Sequence, residues 1–320
     1  MAVTPPVHSD WPHAWTAFRR AAYAGSPPPR RQFLPREFLE RLLAGAAERL
    51  PLLDAPLLDW ALAERVHDPA YLARWRRGEV TRAEERALGF PWNPAVVERG
   101  LASSGATLAA TRDALAHGFG LNLGGGTHHA YRDHAEGFSF LNDVVICARW
   151  LLGGGHAARL LILDLDVHQG NGTASLLAGE ARTLTVSVHG ANNYPFQKER
   201  SDLDVALPDG TGDAAYLAAL DGEVAPAVAA FRPDFAFYLA GADVLEGDQL
   251  GRLALTPAGV RERDERVFRW AARACIPLVT VMAGGYSRDP ERLIETRLGT
   301  LDALLAAFGQ RRAVGGIIEG

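Results

Sequence analysis

Polar side chains with metal-binding potential end one short apolar run of the chain, LILDLDVHQGNG, which carries Asp164, Asp166 and His168. Burying charge is costly unless something compensates it. On a strand, residues two positions apart project from the same side, so Asp166 and His168 can bind one metal ion together. Asp243 ends the run FAFYLAGAD and is the natural third ligand. Two carboxylates and one imidazole suit Zn²⁺, Fe²⁺ or Mn²⁺ and leave an open position for water.

Further reactive side chains stand at the ends of other apolar runs. His128 and His129 follow three glycines in LGGGTHH, and Tyr286 follows two glycines in AGGYS. Each motif also has a simpler interpretation, since strand-end aspartates often cap the next helix, a histidine pair can form a polar turn, and a tyrosine can pack in a core. GGGTHH lacks the phosphate-binding glycine patterns and the chain has no G-x-S-x-G elbow, which argues against nucleotide binding and a serine nucleophile.

Five apolar runs alternate with stretches of helical period from about Gly118 onward: FGLNL, RLLILDL, TLTVSV, FAFYLA and PLVTVMA. This alternation predicts an α/β fold, a single-domain open parallel β-sheet flanked by helices. Each run ends in a polar or glycine-rich loop, and ligands bind beyond the carboxyl ends of such strands, so the loops should meet at one crevice. The predicted helices are Asp143 to Leu152, Asp213 to Phe231 with a kink at Pro226, Pro257 to Ala274, and Asp289 to Phe308.

The 320 residues, 48% hydrophobic and 22% charged, are typical of a soluble globular protein. We expect one catalytic domain over residues 1–320. Its parts are a variable, helical and peripheral N-terminal part (1–88), a motif-bearing core (89–310) and a flexible tail (311–320). Proline disfavours helix at the preceding residue, so the segments HDP, which begins at His67, and GFPWNP are expected to form surface loops that can rim a pocket.

Charge and cysteine content narrow the cellular setting. The net charge of -5 gives no general attraction to nucleic acid or to anionic membranes. The opening MAVTPPVHSDWPHAW lacks the basic and apolar regions of a secretory signal, and no run approaches the ~18 apolar residues of a membrane span. Cys147 and Cys275 are expected to be buried, reduced thiols. We therefore expect a cytoplasmic protein with no membrane span and no direct nucleic-acid partner.

Four segments resemble, in order, the signature segments of one known family: LGGGTHHAYRDHAEGFSFLND, LDLDVHQGNG, LAGADVLEGDQLGRLALTPAG and AGGYS. They are similar to those of the zinc-dependent histone deacetylase family, which has the arginase/deacetylase fold. The resemblance runs from about Gly89 to Arg288 and is greatest to the class IV branch. The first eighty or so residues match weakly.

The resemblance implies one catalytic zinc ion held by Asp166, His168 and Asp243. It also implies that His128 and His129 lie beside the attacking water, and that Tyr286 lies across the substrate carbonyl. His129 would act as general base, and the imidazolium of the pair would protonate the leaving amine.

Two further residues would support the histidine pair. In the family, Asp164 bonds the first histidine and an aspartate usually bonds the second, but the matching position here is Asn171. The resemblance also implies a possible potassium ion, bound by the side chain of Asp164 and by backbone carbonyls that include those of Ser187 and Val188.

The substrate implied by the resemblance is an N-ε-acyl-lysine of a protein or peptide. Gly137 and Phe138 match one wall of the acyl-lysine channel, and Tyr194 or Phe196 is expected on the opposite wall. The class IV likeness favours a longer fatty acyl group over acetyl. One alternative is an amidohydrolase of the same fold for acetylpolyamines or other small acylated amines. Another is an inactive acyl-lysine-binding protein.

Overall fold

The computed structural model describes residues 14–16 and 36–315, with side chains described for residues 40–309. One sheet of eight strands forms its centre, in the order β2-β1-β3-β8-β7-β4-β5-β6. All of these strands pair in parallel, as the sequence predicts. The strands are β1 Ala14–Thr16, β2 Leu52–Asp54, β3 Phe119–Asn122, β4 Leu160–Asp164, β5 Thr183–Gly190, β6 Leu203–Leu207, β7 Phe235–Leu239 and β8 Leu278–Val281.

Helices cover both faces of the sheet: α1 Arg36–Ala47, α2 Trp60–Ala63, α3 Pro69–Arg77, α4 Arg82–Leu88, α5 Pro94–His117, α6 Asp143–Gly153, α7 Asn171–Leu177, α8 Asp213–Ala219, α9 Ala225–Phe231, α10 Pro257–Ala274 and α11 Pro290–Gly315. Thr256 caps α10 at its predicted start by accepting from Gly259 N at 3.0 Å. A π-helical turn, Leu220–Val224, separates α8 from α9 just before Pro226, which lacks an N–H group. α11 runs on into the predicted tail as far as Gly315.

The core has two layers because the strands bury both faces. In β4, Leu161 and Leu163 belong to one cluster with the side chains of α10 and α11. Leu160 and Ile162 belong to the other, with those of α5 and α6. Burial on both sides explains why these strands read as continuous apolar runs in the sequence.

The N-terminal part is largely helical over residues 36–88, as predicted, but it also adds two strands to the sheet. β1 and β2 extend the sheet at its β3 side. Strands of three residues are too short to show a periodic pattern, so sequence reasoning missed them. His67, predicted in a surface loop, is fully buried, and its Nδ1 lies 2.8 Å from Tyr131 O while its Nε2 accepts from Asn142 N at 3.0 Å.

One further expectation needs correction. Cys275 is exposed and forms the left-handed C-cap of α10, whereas Cys147 is buried as expected. The segment Asp213–Phe231 is 19 residues long and reaches a mean hydropathy of 1.3, so by length and composition alone it could cross a membrane, a test that the core helix of a folded domain also passes. Within this fold its apolar positions are core side chains such as Tyr216 and Val228, together with exposed alanines.

Candidate active site

The carboxyl ends of five strands open onto one cleft of about 1300 Å³. Each predicted loop contributes lining residues: Thr127 follows β3, His168 follows β4, Tyr194 follows β5, Leu250 follows β7 and Tyr286 follows β8. Parallel strands all end at the same edge of the sheet, so loops far apart in sequence meet there.

Asp166, His168 and Asp243 lie together at the inner end of this cleft, with ligand atoms of all three within 4.8 Å of one another. His168 Nδ1 is 2.9 Å from Asp166 Oδ1 and 3.2 Å from Asp243 Oδ2. All three side chains are buried, and Asp243 Oδ2 makes no hydrogen bond. A buried carboxylate oxygen without a hydrogen bond, beside a second carboxylate and an imidazole, fits a divalent cation.

The two buried carboxylates give the cluster an excess of negative charge, which shifts the pKa values of its members. Burial and the neighbouring Asp166 carboxylate raise the pKa of Asp243 to about 7. Burial acts to lower the pKa of His168, but its hydrogen bond to Asp166 and the close Asp243 carboxylate outweigh this and raise that pKa to about 10. Positive charge is therefore favoured at this point, and a bound cation would supply it in place of a proton.

Glycines let the backbone approach the cluster closely. A Cβ on Gly284 would lie 2.0 Å from Asp243 Oδ2, and the Gly284 N–H donates to Asp166 Oδ2 at 2.8 Å. A Cβ on Gly241 would lie 2.7 Å from Asp166 Cα. The glycine of LAGAD and the first glycine of AGGYS are thus required, because no larger side chain fits beside the carboxylates.

The two adjacent histidines are buried next to the cluster and have unequal surroundings. His128 Nδ1 lies 2.7 Å from Asp164 Oδ2, and the Nε2 atoms of His128 and His129 are 3.1 Å apart. Burial acts to lower the pKa of His128, but the Asp164 carboxylate raises it to about 9. Burial and the positive charge of His128 lower the pKa of His129 well below its ordinary value. The pair therefore combines an imidazolium with a neutral, basic imidazole.

Asn171 begins α7 and holds the second histidine. Its Oδ1 lies 2.6 Å from His129 Nδ1, and its Nδ2 donates to Glu136 Oε2 at 3.1 Å. Tyr194 OH donates to the other oxygen of Glu136. Sequence reasoning missed Glu136, because a single carboxylate in a loop gives no pattern that separates it from a solvated surface residue.

Tyr286 faces the cluster from the loop after β8. Its ring centroid is 6.5 Å from that of His168 and 6.3 Å from that of Phe138. Its backbone N–H donates to Asp248 Oδ2 at 2.6 Å, which fixes the turn. Burial raises the pKa of the Tyr286 hydroxyl above its ordinary value, so the hydroxyl stays protonated and can donate.

The predicted channel walls are also at the cleft. Gly137 N and Phe138 N donate to Ala87 O and Leu88 O at 3.0 and 2.9 Å, which ties this wall to the end of α4. Both residues have positive φ, and a Cβ on Gly137 would lie 2.4 Å from His129 Cδ2.

Of the two candidates for the opposite wall, Tyr194 packs edge-on against His129 with ring centroids 5.1 Å apart. Phe196 is 81% exposed and lies at the rim.

The residues predicted around a potassium ion are engaged in bonds of their own. Asp164 Oδ1 accepts from Asp166 N at 3.1 Å, and Ser187 Oγ lies 3.0 Å from His189 Nδ1. Ser187 is paired with Asp164 across β4 and β5. The potassium ion stays a prediction.

Buried charged residues that the sequence did not single out hold the loops. Asp143 accepts from Gly126 N at 3.0 Å and from Thr127 N at 2.8 Å, which fixes the loop that carries the histidines. Asp143 had been predicted only as the start of a helix.

Two buried arginines complete this scaffold. Arg297 donates to the carbonyls of Met282, Ala283 and Gly284. Arg263 donates to the carbonyls of Leu165 and Gly241, which precede the cluster carboxylates.

A parallel α/β sheet with a buried aspartate–histidine cluster at the carboxyl ends of its strands is the architecture of the arginase/deacetylase fold. A family model described as "Histone deacetylase domain" matches residues 30–297, and the chain belongs to the histone deacetylase family of hydrolases.

Relatives agree with this family. The chain is 40% identical over 238 residues to an uncharacterized protein of Picosynechococcus, covering 74% of this chain and 79% of that protein. It is 35% identical over 200 residues to "Histone deacetylase 2" of Arabidopsis thaliana, covering 62% of this chain and 52% of the relative. It is 35% identical over 188 residues to "Probable deacetylase" of Archaeoglobus fulgidus, covering 55% of this chain and 52% of the relative. The chain thus spans about half the length of these two named deacetylases.

Solved structures share the fold. The acetylpolyamine aminohydrolase of Burkholderia pseudomallei matches with a TM-score of 0.74 at 23% identity, covering 92% of this chain and 99% of that one. The HDA15 HD domain also matches with a TM-score of 0.74, at 22% identity, covering 93% of this chain and 90% of that one.

Proposed function

We propose that this protein is a zinc-dependent hydrolase that removes acyl groups from N-ε-acyl-lysine. The observation that carries the proposal is the meeting of three groups at one cleft: the Asp166–His168–Asp243 cluster, the His128–His129 pair and Tyr286. A metal ligand set, a general base and an oxyanion donor within one pocket are what amide hydrolysis requires.

The cluster would hold zinc through one oxygen of each aspartate and Nδ1 of His168. When bound there, zinc polarises a substrate carbonyl and makes water a nucleophile near neutral pH. His129 accepts the proton of the attacking water, because it is the neutral member of the pair. His128, kept cationic by Asp164, protonates the leaving lysine amine. Tyr286 donates its hydroxyl to the oxyanion.

The size of the cleft supports a longer acyl group than acetyl. From its open mouth to the cluster it has a volume of about 1300 Å³, against roughly 300–1,000 Å³ for a usual small-molecule site. Several of its lining residues have small or absent side chains: Gly125, Gly126, Thr127 and Ala283. We therefore propose fatty acyl-lysine as the preferred substrate class.

The charge of the cleft argues against an acetylpolyamine. Among the described residues that line it are Arg86, Arg99 and Arg252, whose positive charges would repel a polycation, although Arg252 is paired with Asp209. Glu136, a carboxylate that also lines the cleft, is already bonded to Asn171 and Tyr194. An inactive acyl-lysine-binding protein would need no general base or oxyanion donor, so the presence of both favours the enzyme.

One panel of substrates tests the proposal. Zinc-loaded protein is assayed for amine release from lysine peptides that carry acyl groups from acetyl to myristoyl, and from acetylated polyamines. We expect the highest kcat/KM on a long-chain peptide, loss of turnover after chelation, and recovery on adding zinc. Equal or better turnover of acetyl-lysine would overturn the chain-length proposal, preference for the polyamine would overturn the substrate class, and undiminished activity without metal would overturn the mechanism.

A further inference from the structure

The carboxylate of Glu136 lies behind the amide of Asn171, on the side away from His129. Asn171 Nδ2 donates to Glu136 Oε2 at 3.1 Å, and Asn171 Oδ1 lies 2.6 Å from His129 Nδ1. We propose that Glu136 is a positioning residue that fixes the orientation of the Asn171 amide and, through it, selects the tautomer of His129. The catalytic consequence rests on the proposed function, whereas the tautomer itself does not.

The two ends of the Asn171 amide differ in the hydrogen bonds that they can form. The amide oxygen accepts hydrogen bonds and the NH₂ group donates them, while a carboxylate only accepts. Facing Glu136, Asn171 must therefore present its NH₂ group, which turns its oxygen to His129. Tyr131 also interacts with Asn171, and because its hydroxyl proton is donated to Glu199, its oxygen accepts from the same NH₂ group and favours the same orientation.

The orientation of this amide determines which nitrogen of His129 carries the proton. An acceptor oxygen 2.6 Å from His129 Nδ1 requires a proton on Nδ1, so in the neutral ring Nε2 carries the lone pair. That Nε2 lies 3.1 Å from Nε2 of His128. If the Asn171 amide were reversed, its NH₂ group would donate to Nδ1, the ring proton would move to Nε2, and the base would be lost.

Glu136 is itself held in place by its backbone and by Tyr194. Its backbone is fixed by a tight turn, in which Glu136 N donates to Ser139 O at 3.2 Å and Ser139 N donates to Glu136 O at 2.8 Å. Tyr194 OH donates to Oε1, which leaves Oε2 for Asn171. An aspartate beside His129 would accept through either oxygen and need no such support. An asparagine can accept from His129 in only one of its two amide orientations. The carboxylate that selects this orientation therefore belongs to Glu136, which contacts the asparagine and not the histidine.

The experiment compares zinc-loaded wild type with Glu136→Ala and Glu136→Gln. Steady-state kinetics on an acyl-lysine peptide give kcat and KM, and ¹⁵N NMR of histidine-labelled protein gives the protonation of the two His129 nitrogens. We expect Glu136→Ala to lower kcat by about 10- to 100-fold with little change in KM. Its His129 signals should lose the pattern of a protonated Nδ1 and an unprotonated Nε2.

Glu136→Gln should restore most of the turnover and the wild-type pattern. The glutamine oxygen can still accept from Asn171, and its NH₂ group can donate to the hydroxyl oxygen of Tyr194. The matched control is Glu199→Gln, which changes the carboxylate that accepts from Tyr131 OH at 3.2 Å and keeps an oxygen that can accept from it. It should leave kcat and the His129 signals unchanged. Thermal melting confirms that each variant is folded.

An unchanged His129 pattern in folded Glu136→Ala would overturn the positioning proposal, whatever its turnover. So would a Glu136→Gln variant as impaired in kcat and as altered in its His129 signals as Glu136→Ala. A wild type without turnover of any acyl-lysine, together with an altered pattern in Glu136→Ala, would overturn the proposed function and support the positioning role.

Discussion

The hydroxyl of Tyr286 offers the sharpest test of the proposed mechanism. Tyr286→Phe removes one oxygen and keeps the ring, which packs against His168 and Phe138 with centroids 6.5 and 6.3 Å away. The backbone bond from Tyr286 N to Asp248 is untouched by the change. The variant should therefore fold and bind metal as wild type does.

The expected loss follows from the role of the hydroxyl as an oxyanion donor. Removing one such donor typically lowers kcat by ~10²- to 10³-fold, or about 2.7–4 kcal/mol of transition-state stabilisation. Because the oxyanion forms only in the transition state, kcat should fall more than KM rises. Burial raises the pKa of this hydroxyl, so it stays neutral and the loss should be the same throughout the neutral pH range.

The assay is steady-state hydrolysis of an acyl-lysine peptide, with metal content measured by mass spectrometry on the same samples. Tyr216→Phe, which removes a buried hydroxyl from the core, serves as the matched control and should keep full activity. A Tyr286→Phe variant that retains at least half of wild-type kcat would refute the assigned role. Loss of zinc from this variant would instead show that the residue supports the metal site.

Three further outcomes are expected. Asp166→Ala should lose metal and activity together, measured as zinc content and turnover, because it removes one ligand and the acceptor of the His168 bond. Gly284→Ala should weaken zinc binding more than tenfold (on the order of 10- to 100-fold) in a competition titration, since its Cβ would lie 2.0 Å from Asp243 Oδ2. Gly222→Ala, with open space around its Cβ, is its control and should bind zinc normally. Burial lowers the pKa of His67 from 6.5 to about 4, so this residue stabilises the fold above pH 6.5 and loses that contribution as pH falls towards 4. Between about pH 7.5 and about pH 5 its share of the unfolding free energy should fall by about 2 kcal/mol. Urea titrations of wild type and His67→Gln at both pH values measure this share, and equal losses in the two proteins would contradict it.

The strands and the metal cluster show which parts of the structure could be predicted from the sequence. The runs that became β3, β4, β5, β7 and β8 were recognisable because both faces of each strand are buried. Their polar ends located Asp166, His168 and Asp243 at one edge, where the structure brings the three together. β1 and β2 were missed, since three residues cannot show a period of two.

The sequence by itself determined the parallel α/β fold, the family and the chemical types gathered at the strand ends, because these depend on local apolar patterns and short motifs. Only the tertiary structure decided which of Tyr194 and Phe196 packs against His129, and which distant carboxylate supports Asn171. It also assigned Asp143 and Arg297 to the loops that they hold. Such contacts join residues from more than ten to several tens of positions apart, and a single charged side chain in a loop carries no periodic signal of its partner.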